Sequence, residues 1–102
     1  MASEGERQLM EWDFPTRESL LDFLDYLRDL WTYPDRFIQT GQDVINLELH
    51  TGGCSENEEI IAALRESNFW LLWWEKSVRG GHYYFKIPVK QFYKGVDNGD
   101  RI

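Results

Sequence analysis

The stretch W-W-E-K-S-V-R-G-G-H-Y-Y-F-K-I-P-V, from Trp73 to Val89, does most to limit the folds open to this chain. A glycine pair between two segments rich in aromatic and β-branched residues predicts a two-residue β-hairpin, because both central residues can take positive φ. With Gly80 and Gly81 as the turn, Arg79 pairs with His82, Val78 with Tyr83, Ser77 with Tyr84 and Glu75 with Lys86. The Glu75–Lys86 pair supports this register, since opposite charges across a ladder are favourable. One face of the hairpin then carries Leu72, Trp74, Val78, Tyr83, Phe85, Ile87 and Val89. The other carries Phe69, Leu71 and Trp73 beside Glu75, Ser77, Arg79, His82, Tyr84 and Lys86.

Elements upstream complete an α+β pattern. Alternation of Met10, Trp12 and Phe14 against Leu9, Glu11 and Asp13 predicts a short first strand, ended by Pro15. Thr16 is placed to cap a helix running to Trp31, in which Leu20, Phe23, Leu24, Leu27, Leu30 and Trp31 recur at intervals of three and four. Phe37 to His50 reads as strand interrupted near Thr40-Gly41, with Ile45, Leu47 and Leu49 on one side and an unusually polar set, Val44, Asn46, Glu48 and His50, on the other. H-T-G-G-C-S-E-N-E-E then turns into a second helix, whose Ser55 and Glu58 fit a capping box. Phe69 to Val78 reads as one long strand leading into the hairpin. The predicted fold is a two-layer α+β sandwich of order β-α-β-α-β-β, two helices on one face of a small mixed or antiparallel sheet.

A length of 102 residues suits one domain, residues 1–102, with loose tails at 1–7 and 94–102. Aromatic residues make up 16%, so either a few large rings build the core or some of them serve a contact surface. The net charge of −7 argues against direct binding of a nucleic-acid backbone, which needs a basic stripe. A single cysteine, Cys54, cannot form an internal disulfide, and the apolar run Phe69 to Trp74 is too short to span a bilayer. A cytoplasmic protein with no membrane association is the expectation.

Two surfaces merit attention. Two helices cannot cover both faces of the sheet, so an open face is expected, with Trp73, Glu75, Arg79, His82 and Tyr84 as partner-binding residues. If the β-α-β connections are right-handed crossovers between parallel strands, Arg17, Arg79 and His82 approach Gly52, Gly53 and Cys54 at a helix start. Free amides and the helix dipole there suit an anion.

Catalytic and metal signals are weak. Cys54 lies before a helix start with His50 and His82 as candidate bases, yet a nucleophilic site also needs an orienting group and an oxyanion site. Glu48, His50, Cys54 and His82 match no usual zinc spacing, and neither glycine pair is a phosphate-binding loop. No catalytic residue, metal or cofactor is therefore assigned.

The segments D-V-I-N-L-E-L-H-T-G-G-C-S-E-N-E-E-I-I and F-W-L-L-W-W-E-K-S-V-R-G-G-H-Y-Y-F resemble a family of small bacterial and bacteriophage proteins. Its members carry T-G-G-aromatic-S-x-N-E-x-I-I followed by a tryptophan-rich strand and R-G-G-H-Y. The resemblance covers roughly the second half of the chain and implies an aromatic where Cys54 stands. It implies a phage-type or mobile-element protein that binds or inhibits a host protein; independently of the resemblance, the open face could also pair with a second copy in a homodimer. Against this leading expectation stand a small enzyme or anion-binding protein with its site at the strand ends, and an acidic nucleic-acid mimic using Glu18, Asp22, Asp25 and Asp29.

Overall fold

The computed structural model describes residues 3–89. Its elements are α1 (Glu4–Glu11), α2 (Arg17–Leu30), a 3-10 turn (Pro34–Arg36), β1 (Phe37–Thr40), β2 (Val44–His50), α3 (Ser55–Arg65), α4 (Asn68–Trp73), β3 (Trp74–Val78) and β4 (His82–Pro88). The strands form one sheet of order β1-β2-β4-β3, antiparallel at every junction. This is an α+β two-layer fold. The expected parallel crossovers are absent, because the helices lead into strands that join the sheet by hairpin-like antiparallel pairing.

Two helices replace expected strands. At the start, Ser3 accepts from the Glu6 amide while Glu6 accepts from the Ser3 amide, a reciprocal cap that nucleates α1 over residues expected to be loose. Leu9, not Met10, is its buried residue; Trp12 and Phe14 follow as extended but unpaired chain against the core. Further on, Ser67 accepts from the Trp70 amide and starts α4, so the apolar run Phe69 to Trp73 winds instead of extending. Helical winding puts Phe69 and Trp73, four residues apart, into the core, while Leu71 and Leu72 remain exposed. The tail expected at 94–102 lies outside the described residues.

Rings build much of the core. Phe23 of α2 stacks on Phe69 of α4 at 4.8 Å, and Phe69 meets Phe85 of β4 at 4.9 Å, a line running from the helices to the sheet. Phe14 packs edge-on against Phe23 and Trp73 at 4.9 and 5.0 Å. Such pairs add about 0.5–1.5 kcal/mol each beyond their burial. Ile45, Leu47 and Leu49 of β2 and Ile87 of β4 supply the aliphatic floor, as their alternation requires.

The hairpin forms with a shifted register. Val78 faces His82, Ser77 faces Tyr83 and Lys76 faces Tyr84, leaving Arg79, Gly80 and Gly81 as the loop. An irregularity at Glu75 then places Trp74 opposite Phe85, so the expected Glu75–Lys86 pair does not form. The cause is a third strand. The Thr51 amide donates to the Gly81 carbonyl at 2.9 Å, extending the β2–β4 ladder one step past His50–His82 and taking Gly81 out of a two-residue turn. Gly81 has φ of +86°, and a Cβ there would collide with the Thr51 hydroxyl.

One buried amide ties the loops together. Asn57, 0% exposed in α3, accepts from the Thr32 amide and donates to the Thr32 carbonyl, both at 2.8 Å. It also donates to the Thr51 carbonyl at 3.4 Å. Thr51 in turn donates its hydroxyl to Glu58 at 3.2 Å. The end of α2, the β2–α3 turn and the hairpin tip thus share one junction. In Asn57→Ala the Thr32 groups lose their partners, at about 1–3 kcal/mol for each buried group left unsatisfied. Denaturant unfolding is expected to show a loss of about 3 kcal/mol with the native spectrum retained. Trp73→Ala, which empties a core position, is expected to cost about 3–5 kcal/mol in the same measurement.

Candidate functional site

The face of the sheet opposite the helices is left uncovered by the described residues. Alternation along the strands sends Ile38, Glu48, Tyr84 and Lys76 outward in one row across all four strands. His50, His82 and Val78 form the row on one side of it, and Thr40, Asn46 and Lys86 the row on the other. A groove of about 370 Å3 opens on this face, lined among others by Thr40, Asn46, Glu48, Glu75, Lys76 and Tyr84. Lys76 Nζ stands 4.9 Å from the centroid of the Tyr84 ring, so a cation covers part of that aromatic surface.

Histidines meet at one end of the face. His50 Nδ1 and His82 Nδ1 are 2.7 Å apart, and His50 Nε2 lies 3.3 Å from a Glu48 carboxylate oxygen. Two ring nitrogens at that distance share one proton, one ring donating and the other accepting. The assignment that satisfies both contacts has His50 donating from Nε2 to Glu48 and accepting at Nδ1 from His82. The His50 ring also stands edge-on to Tyr84, with centroids 6.1 Å apart.

At the β3 edge, the strand is exposed along its whole length, and Leu71 and Leu72 of α4 lead into it at 83% and 54% exposure. Trp74 is held in place: its ring stacks on Trp70 at 5.8 Å, and its indole N–H donates to Ser77 Oγ at 2.9 Å. Arg65 of α3 lies over Trp70 at 4.7 Å and braces the stack from the helix side.

The expected partner residues divide. Glu75, His82 and Tyr84 reach the open face, and Arg79 is exposed at the hairpin tip. Trp73 does not: it is 4% exposed, turned inward because α4 is a helix where a strand was expected. Lys76, Glu48 and Ile38 were not among the expected residues. The irregularity at Glu75 sets the side Lys76 takes, and no spacing in the sequence marks it.

The expected anion cluster does not assemble around Arg17. Asn57 ties Thr32, beyond the C-terminal end of α2, to Thr51. Arg17 begins that 14-residue helix, about 20 Å away along its axis. Arg36 of the 3-10 turn lies across Gly52 instead; a Cβ on Gly52 would meet its Nε at 3.0 Å. The expected capping box also shifts, with Cys54 at the N-cap, Ser55 inside the helix and Glu58 bonded to Thr51.

Cys54 donates its thiol to Glu56 Oε1 at 3.1 Å. That hydrogen bond, the backbone amide of Glu56 and Ser55 hold the Glu56 carboxyl below the ordinary carboxylate range. On the helical surface, Asp25 pairs with Arg28 at 2.9 Å, so one of the four carboxylates expected as phosphate surrogates has a cation beside it. Among the described residues, no helix is long and apolar enough to cross a membrane.

A group whose pKa is lowered on folding adds stability above its unfolded pKa, and that stability is lost as pH falls through the folded value. Cys54→Ala is therefore expected to raise the Glu56 titration midpoint, followed by NMR, and to remove that part of the acid sensitivity. An unchanged midpoint would show that the thiol contact is not formed. Searches of protein-family profiles, curated proteins and solved structures return no match to this chain.

Proposed function

We propose that this chain is a non-catalytic binding protein that engages a protein partner through the open face of its sheet. The supporting observation is the row Ile38, Glu48, Tyr84 and Lys76 beside a groove, a ring and an aliphatic group set among charges on rigid strands. Interface cores are built in this way, with aromatic anchors ringed by polar groups. The exposed β3 edge and Leu71 and Leu72 extend the surface to one side, where backbone groups that the described residues leave unpaired can accept a strand.

Charge placement favours the same face. Within the strands and their hairpin loops, Asp43, Glu48 and Glu75 are matched by Lys76, Arg79 and Lys86, so the net −7 lies outside the sheet. A balanced face can be brought against a partner without a net opposing field, while the acidic helical layer keeps the protein soluble. The Cys54 thiol is engaged as a hydrogen-bond donor to Glu56, which supports a structural role over a nucleophilic one. The resemblance to small phage and bacterial proteins adds the class of partner, a host protein whose activity the bound chain would block.

Affinity isolation from host lysate supplies the partner, and binding constants then locate the surface. Tyr84→Ala and Lys76→Glu are each expected to weaken binding by about tenfold or more. Asp22→Asn and Asp29→Asn, on the helical layer, are expected to leave it within about twofold. Binding that survives both sheet substitutions, or is lost with the helix substitutions, would move the site to the acidic layer and favour nucleic-acid mimicry.

A further inference from the structure

We propose that the exposed edge of β3 pairs with the β3 edge of a second copy of this chain, antiparallel about a two-fold axis through Ser77. β3 is five residues long and exposed at every one of them. Four of the six large apolar side chains exposed among the described residues, Leu71, Leu72, Trp74 and Val78, lie on this edge or on the helix that leads into it. Among the described residues no strand pairs with its outer side, so the outward backbone groups have no ladder partner there. Such an edge can extend the sheet by one more strand.

Charge placement selects a second copy as the occupant. Glu75 stands near the start of β3 and Arg79 just past its end, so opposite charges mark opposite ends of one edge. A two-fold axis normal to the sheet turns such an edge onto itself head to tail, and an isologous contact makes each favourable pair twice. With Ser77 facing its own copy, Lys76 faces Val78 and Glu75 faces Arg79 of the second chain. An axis through Glu75 or Lys76 opposes like charges instead, and one through Val78 sets Glu75 against Gly81. Only the Ser77 axis joins the two charged ends.

Side-chain directions agree with this register. Lys76 and Val78 both leave the open face, so the Lys76 stem can lie along the Val78 methyls of the other copy. Lys76 does not screen the edge, because its ammonium is drawn to 4.9 Å from the Tyr84 ring centroid. On the inner side the Trp74 indole N–H donates to Ser77 Oγ at 2.9 Å, which places an ordered ring beside the axis. The head-to-tail arrangement also brings each hairpin tip alongside Leu71 and Leu72 of the other copy. The opposite edge offers no such match: Phe37–Thr40 of β1 carries no charge to fix a register, and Phe37 is buried. Two four-stranded sheets thereby join, and their open faces become one continuous surface.

Sedimentation equilibrium and native mass spectrometry of the full chain are expected to show a dimer. Glu75→Arg and Arg79→Glu, each checked for folding by circular dichroism, set like charges against each other at both symmetric positions. Each is expected to weaken dimerisation by about tenfold or more. Mixed in equal amounts, the two variants regain opposite charges across the axis and are expected to form a heterodimer about as tight as the native dimer. Misfolding or a change of net charge cannot produce that recovery. A monomeric full chain would overturn the proposal, with slow exchange of the β3 amides assigning the edge to another segment of the same chain. A dimer that ignores both charge reversals would overturn it as well. Binding of a host protein through Tyr84 is measured separately, and neither result fixes the other.

Discussion

A single side-chain amide, that of Asn57, holds together the three loops on which the rest of the molecule depends. In a largely buried junction an unpaired peptide group is costly, and a primary amide can both donate and accept. Asn57 uses both capacities on Thr32 and reaches the Thr51 carbonyl as well. The end of α2 is thereby fixed to the start of α3. Because Thr51 also donates to Gly81, the same junction sets how far the β2–β4 ladder runs, and so which residues of the hairpin face outward. The T-G-G-x-x-x-N-E string is in this sense a structural clasp: Thr51, Asn57 and Glu58 are its bonded members.

From that junction follows the contrast between the two sides of the sheet. On the inner side, Phe23, Phe69 and Phe85 carry packing from helix to strand. On the outer side, the described residues leave charges in balance around Tyr84 and a pair of histidines sharing one proton. Net negative charge is confined to regions outside the sheet, so the open face is close to neutral while the helical layer is acidic. Among the described residues the β3 edge is unpaired, and strands of this kind are where proteins commonly add a partner's strand.

Much of this was legible in the sequence. The three-and-four spacing of Leu20, Phe23, Leu24 and Leu27 fixed α2, and the alternation of Ile45, Leu47 and Leu49 fixed the buried side of β2 and the polar side opposite it. Phe69 to Trp74 was not legible, since an unbroken apolar run has no period to read, and the hydroxyl of Ser67 decided for helix. Trp73 went into the core with that choice. The hairpin itself was evident from Gly80-Gly81, but its register was not, because Thr51 belongs to a distant segment and captures the Gly81 carbonyl. Arg17 stands apart from Gly52 and Gly53 for a related reason: the Asn57 junction gathers the far end of α2, and Arg36 arrives with it. Local patterns were reliable wherever burial had one side, and misleading wherever a single long-range hydrogen bond chose the geometry.

Amide hydrogen exchange, read residue by residue by NMR, tests the central role of the Asn57 junction most directly. The Thr32 and Thr51 amides both lie outside regular helix and strand, yet each donates to a partner fixed by that junction. Both are expected to exchange only through global unfolding, with protection matching that of Leu47 and Phe85 in the core strands. Exchange of Thr32 and Thr51 at the rate of an open loop, while the core strands stay protected, would contradict it.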